Sequence, residues 1–374
     1  GYTETINLAK AGRIQEDPAV MLRVELKSGR RPGYLYLRGS SLSRFDGKTW
    51  TVNPQKRSEL VKDAYRSRLL KAQKVTKNRF DLPALERTAL TGKWGLKLAP
   101  ESYLEQRIYL ESLDTQALFG VPWMTRLDAR LPSLTLLEDG SVLRPPTFSG
   151  KMAYDVVSLI ERPAVQKLNE LSKVVPEENS DIVVDNLQVP EGDFSQVKKL
   201  VKEIVSVRDT PYVKARKIER HLRERYGYSL DNAPAGDRNP VEMFLFETRK
   251  GHCEYFASAM ALMLRLEGVP VRVACGFLMH EWNASGNYYI VRSKDAHSWV
   301  EVYLGGIWLD MDPSPVTPEA DIQTATFWSR VRQKVDYVNF LWNANVLSYD
   351  MDSQEKLAQN VQMKSSRLSF RLDQ

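Results

Sequence analysis

Gly251-His252-Cys253-Glu254-Tyr255-Phe256-Ala257-Ser258-Ala259, running on through Met260 to Leu266 and stopped by Gly268 and Pro270, is the stretch on which the fold turns. It predicts a helix over about 253–266, ended by glycine and proline. Directly after it the hydrophobic period changes from helix to strand, at 271–277, 288–291, 297–304 and 307–312. Before it, Asp193 is expected to cap a helix running to about Val207, with Val197, Leu200, Val201, Ile204 and Val205 on one face. Thr210-Pro211 opens a further helix, with proline tolerated in its first turn, which ends near Tyr226-Gly227. Helices followed by antiparallel strands make an α+β domain. The two earlier helices carry Lys198, Lys199, Lys202, Arg216, Lys217, Arg220, Arg223 and Arg225 on their outer side, which reads as a solvated face.

Further out, the first half has a different texture. Strand-like runs at 20–26, 34–37, 49–52, 106–111, 133–137 and 153–160 are punctuated by Gly and Pro, with Glu138-Asp139-Gly140-Ser141 as a hairpin turn. This favours a β sandwich or open barrel. Residues 54–80 are basic and read as a solvated insertion. Between Glu161 and Gly192 proline and polar residues accumulate, which puts the domain boundary there. The expected organisation is a mostly-β domain over 1–185, an α+β domain over 193–320 and a helical tail over 321–374. In the tail Phe327, Val331, Val335, Val338 and Trp342 recur at helical spacing, read as a helix docked on the body of the protein.

Length and charge bound the class. At ~100–200 residues per domain, 374 residues fit two domains and a tail. A formal charge of +6 is too thin a surplus to mark a nucleic-acid binder. No apolar run reaches the ~18 residues of a membrane span, and the polar N-terminus has no signal-peptide pattern, so the chain as it stands is expected to be soluble. No HExxH, GxSxG or phosphate-cradling glycine loop is present, and two cysteines are too few for a Cys-rich zinc site. No cofactor or metal is therefore expected.

Only two cysteines and four histidines occur, all between 221 and 297, so thiol or imidazole chemistry is confined to the second half. Cys253 stands at a helix start, where backbone amides and nearby cations favour a thiolate. Taken alone it reads more readily as a small buried residue near the start of a core helix. Gly305-Gly306 makes a two-residue hairpin turn. In the simple register Tyr303 faces Trp308, Glu301 faces Asp310 and Trp299 faces Asp312, which puts His297 diagonal to Asp312 on one face. Val300, Val302, Leu304, Leu309 and Met311 take the opposite, apolar face. Such a His–Asp pair sets the imidazole tautomer and stabilises its charged form. Asp310 competes less well. Cys275 reads as a buried structural thiol, although a Cys253–Cys275 disulfide would be open to it in an oxidising compartment. His221 reads as a surface residue, His252 as a turn residue that could tune the thiol, and His280 and Trp282 as either the lining of a substrate cleft or hairpin cover.

These motifs together resemble the transglutaminase-like core: Gly251 to Ala259, Gly268-Val269-Pro270-Val271-Arg272, Asp295-Ala296-His297-Ser298-Trp299-Val300-Glu301-Val302, and Trp308 to Asp312-Pro313. By that resemblance the fold is papain-like α+β, Cys253 matches the nucleophile, His297 the general base and acid, and Asp312 the orienting carboxylate. Arg38-Gly39 and Arg44-Phe45-Asp46-Gly47-Lys48-Thr49-Trp50 resemble the extracytoplasmic part of bacterial TgpA-type membrane-anchored transglutaminases. The resemblance implies acyl transfer on a glutamine carboxamide of a protein or peptide substrate, at the periplasmic face of the inner membrane, with the anchor outside this chain. Peptidase or amidase action by the same three residues, and a non-catalytic cell-envelope binding module, are the rival readings.

Overall fold

The computed structural model describes residues 2–9, 12–13, 17–28, 32–52, 73–76, 79–82, 91–92, 95–111, 115–148, 150–173, 181–232, 238–315, 334 and 336–337. The expected basic insertion falls largely outside them. So does the expected C-terminal helix, apart from Lys334, Asp336 and Tyr337.

The fold is α+β. The elements that matter are β1 (Val20–Leu26), β2 (Leu35–Leu42), β3 (Gln73–Thr76), β4 (Arg79–Asp81), β5 (Tyr103–Leu110), β6 (Met124–Asp128) and β7 (Met152–Leu159). Then come helices α1 (Ser195–Ile204), α2 (Pro211–Arg225) and α3 (Cys253–Leu266). Strands β8 (Val271–Met279), β9 (Glu281–Asn283), β10 (Tyr288–Arg292), β11 (Ala296–Leu304) and β12 (Ile307–Met311) complete the order.

Two antiparallel sheets organise these strands. The larger has the order β9-β10-β1-β5-β7-β6-β4-β3, the smaller β12-β11-β8-β2. Each half of the sequence thus lends strands to the other half's sheet: β2 joins the smaller sheet, while β9 and β10 join the larger one. In β5 alternate residues are buried (Leu104, Gln106, Ile108, Leu110), the period-2 pattern of a strand with one face on a core.

Helix α3 is buried on all sides, from Tyr255 through Arg265. Its all-round apolar sequence fits that position, between the smaller sheet and α1–α2. Arg265, inside this core, donates to the carbonyls of Gln188, Ser43 and Val271 and lies over the Trp50 ring, which satisfies a guanidinium that burial would otherwise penalise.

The TgpA-like N-terminal motif has a structural role here. Asp46 accepts from the Lys48 and Thr49 amides to close a turn, and this delivers Trp50 onto α3, where its indole N–H donates to Ser258 Oγ at 2.9 Å.

Helix α1 departs from expectation. Asp193 is not its cap; Phe194 holds the N-cap position with no side-chain cap, and Asp193 Oδ1 instead accepts from the Ser195 amide. The helix ends at Ile204 because Val205 is extended (φ −117, ψ 155). In α2, which starts at Pro211 as expected, Thr210 is the cap, accepting from the Val213 amide.

Candidate active site

The chain reaches Cys253 through an irregular turn. The helix at Met243–Thr248 closes with an i→i+5 hydrogen bond from the Arg249 amide to the Phe244 carbonyl, and Arg249 takes a left-handed conformation (φ 51). The two-residue strand Lys250–Gly251 then pairs in parallel with Gly227–Tyr228. A Cβ at Gly251 would lie 3.0 Å from the Tyr255 ring, so glycine permits the tight entry. His252 occupies the N-cap position of α3 and Cys253 is its first helical residue, 7% exposed. The helix-terminal amides favour an anion there.

His297 and Asp312 come from the β11–β12 hairpin. Its register is the expected one, with Glu301 opposite Asp310 and Tyr303 opposite Trp308. Gly305 and Gly306 turn it with positive φ of 59 and 103, as a two-residue hairpin of this kind requires. His297 Nε2 meets Asp312 Oδ2 at 2.8 Å, leaving Nδ1 for another partner. Asp310 turns to a different task, accepting the Trp299 indole N–H at 2.9 Å.

The electrostatics link the pair to the thiol. Burial alone would push the Cys253 thiol up; the His297 charge, then the hydrogen bond from His252 and that from His297, outweigh it and pull the pKa down to about 5. Burial would lower the His297 imidazole, but Asp312 and then Cys253 lift it to about 10. Asp312 lies below the usual carboxylate value: burial opposes this, and His297, the Ser314 amide and Tyr36 overcome it. Opposite charges stabilise one another, so these two shifts together favour the thiolate beside the imidazolium.

Three of the other four sulfur and imidazole groups lie elsewhere. Cys275, in β8, is buried beside Ser298, and both cysteines are free thiols. His280 Nε2 approaches Asp295 Oδ1 at 3.3 Å. His221 is not on the surface as expected: it is half-buried, its ring 5.9 Å from that of Tyr226, and burial lowers its pKa. His252 is 3% exposed and hydrogen-bonds Cys253, so it is a second imidazole on the thiol rather than a bystander in a turn.

Three further residues at the site carry no sequence signal that would single them out. Tyr36 of β2 donates to Asp312 Oδ2 at 2.8 Å. Tyr228 stacks on Phe256, and burial and then the Cys253 charge push its phenol far above its ordinary pKa. Glu219 of α2 is buried, paired with Arg216, and receives the Asp312 amide. Among the described residues no group of three or more His, Cys, Asp or Glu is arranged to hold a metal.

Residues 198–313 match the family model of the transglutaminase-like superfamily core. This stretch of the chain is transglutaminase-like. Residues 1–164 match the TgpA N-terminal domain. It is similar to a protein-glutamine gamma-glutamyltransferase of Pseudomonas aeruginosa, 29% identical over 320 residues, which are 84% of this chain and 40% of that protein. It also resembles the uncharacterized protein YebA of Bacillus subtilis, 34% identical over 161 residues, 40% of this chain and 22% of that one. The chain therefore spans well under half the length of either relative. The crystal structure of the periplasmic domain of TgpA from Pseudomonas aeruginosa shares the fold, with TM-score 0.59, 24% identity and coverage of 84% of this chain and 93% of that one. No helix among the described residues is long and apolar enough to cross a membrane.

Proposed function

We propose that this transglutaminase-like protein transfers the acyl group of a glutamine side chain in a protein or peptide, using Cys253, His297 and Asp312. The observation that carries the proposal is the 2.8 Å His297–Asp312 bond, held on a hairpin against a helix-start thiol whose pKa is pulled far below its ordinary value.

The Cys253 thiolate attacks the carboxamide carbon, forming the S–C bond. The oxyanion that develops is received by the Cys253 backbone N–H at the start of α3. The His297 imidazolium gives its proton to the departing nitrogen as the C–N bond breaks, and ammonia leaves a thioester. An amine or water then attacks, His297 taking its proton, and the thiolate is released. Asp312 keeps the imidazole oriented with Nε2 bound, so that the other ring nitrogen serves the reaction. The glutamyltransferase name of the Pseudomonas relative and the superfamily match support this chemistry. The fold of the periplasmic TgpA domain supports an extracytoplasmic location, anchored to the inner membrane in the longer protein.

Cys253→Ala is expected to abolish incorporation of a primary amine into a glutamine peptide while the circular dichroism spectrum is kept. Undiminished incorporation would end the proposal. Mass spectrometry of products with and without added amine separates transfer from hydrolysis: an amine adduct marks transfer, and glutamate alone marks an amidase.

A further inference from the structure

The N-terminal region has no thiol and no imidazole, yet β2 brings one of its side chains into the site. We infer that Tyr36 is a positioning residue of this site, holding Asp312, and through it His297, in a single orientation. The inference rests on the acyl-transfer reading above.

The Asp312 carboxylate is gripped at both oxygens. Oδ1 accepts the Ser314 amide at 2.9 Å, and Oδ2 accepts both His297 Nε2 and the Tyr36 hydroxyl, each at 2.8 Å. A carboxylate offers about four lone-pair sites, so Asp312 accepts this third donor without crowding out the other two, and three donors from three directions restrict its rotation more than two would. The Tyr36 ring also lies nearly parallel to the imidazole, 23° between planes with centroids 5.9 Å apart, and 4.9 Å from the Trp299 ring. Trp299 is itself fixed by Asp310. The imidazole thus has a built aromatic wall beside it, and one member of the wall touches its carboxylate.

Placement of Tyr36 is enforced from two sides. Leu278 of β8 pairs with Tyr36, and the β8–β2 register shifts between Cys275 and Gly276. A Cβ at Gly276 would fall 1.9 Å from the Leu37 carbonyl oxygen, so only glycine lets β2 approach this closely. Two residues beyond Tyr36, buried Arg38 bonds Glu301 Oε1 of β11 at 2.7 Å and the Asp139 carbonyl at 2.6 Å. Burial, and then the neighbouring Asp312 charge, push the Tyr36 phenol far above its ordinary pKa, so it remains a donor throughout the working range.

Removing the hydroxyl has two effects of known sign. Asp312 Oδ2 loses a donor that drew on its charge, so the imidazolium is held more tightly and the alkaline limb of the pH profile moves up. The carboxylate also gains freedom to turn, which lowers turnover; misplacements on the order of 1 Å at a reacting pair cost up to roughly 100-fold. Among the described residues, the other charged or titratable groups facing this cluster are Tyr34 just before β2, Cys253 and His252 at the start of α3, Glu219 and Arg223 on α2, and Tyr228. All are unchanged by the substitution.

The experiment is Tyr36→Phe in the full chain, read by turnover on a glutamine peptide and by the pH dependence of Cys253 alkylation with iodoacetamide. The expected result is a fall in kcat of roughly tenfold or more with KM retained, thermal midpoint retained, and an alkaline limb displaced upward in both readouts. Wild-type kcat with an unmoved limb would overturn the inference and leave Tyr36 as packing. If the Phe variant does not fold, 3-fluorotyrosine placed at position 36 keeps the shape and strengthens the donor. It should move the limb downward, and an unmoved limb overturns the inference. Loss of activity in Cys253→Ala beside an unaffected Tyr36→Phe refutes the positioning role alone, whereas full activity in Cys253→Ala refutes the site.

Discussion

Two buried thiols sit in this molecule, and their surroundings pull them in opposite directions. Cys253 and Cys275 are 7% and 4% exposed, so burial by itself penalises the thiolate at both. At Cys275, in the middle of a strand, little opposes it: burial first, then the negative field of Glu254, push the thiol far up, and the nearby Ser298 hydroxyl offsets only part. At Cys253 the chain adds a helix start, His252 and His297, and the balance reverses. The lesson is that exposure does not sort these cysteines. What sorts them is which partners the backbone brings to the sulfur.

The strongest way to break this comparison is to remove each thiol in turn. Cys253→Ala should remove all measurable amine incorporation, while Cys275→Ala should leave kcat within about twofold, since no described contact of Cys275 reaches the hairpin pair. Loss of activity in the Cys275 variant at retained stability would sink the distinction.

The next effect separates the thiol from its charge partner. His297→Gln should lower kcat by about 10²–10⁴-fold, the usual range for a positioned acid–base group. It should also raise the Cys253 pKa towards its ordinary value, because the charge that most strongly opposes burial is gone. The sign is fixed by linkage: a partner that stabilises the anion lowers the pKa, and its removal restores it. Alkylation rates across pH check this.

The wild-type profile obeys the same signs. Activity requires Cys253 deprotonated and His297 protonated, so it should rise through about 5, hold a plateau, and fall through about 10. These are properties of the pair rather than of either residue. A narrow optimum confined to the ordinary imidazole range would contradict the ion pair.

A smaller effect is expected from Gly276→Ala, which forces a methyl against the Leu37 carbonyl where β2 crosses β8. Strain of this kind costs about 1–3 kcal/mol, measurable by urea denaturation, and it should lower turnover further by displacing Tyr36. Arg220→Ala, on the exposed face of α2, should change stability by no more than about 0.5 kcal/mol.

How much of this is legible in the sequence depends on separation along the chain. Helix α3 and the β11–β12 hairpin are governed by local signals, an unbroken apolar run ended by glycine and a Gly-Gly turn, and both can be read residue by residue. The His297–Asp312 pairing comes with that register. The exchange of β2, β9 and β10 between sheets cannot be read, because periodicity states that a segment is a strand and not which strand it pairs with. Tyr36 lies 276 residues from Asp312 in sequence, and Tyr-Leu-Tyr-Leu looks like any half-buried strand. The cap of α1 differs by one residue from its expected place because an aspartate beside a helix start can bond the next turn without being the cap. His221 reads as exposed because its neighbours on α2 are charged, but the ring turns towards Tyr226.

The most direct test is the pH dependence of iodoacetamide alkylation, followed at each cysteine by peptide mass spectrometry in the folded wild-type chain. The ion pair predicts that Cys253 is modified with a titration near 5 while Cys275 stays unmodified. Modification of Cys253 that begins only as pH passes the ordinary thiol value of about 8.5 would contradict it.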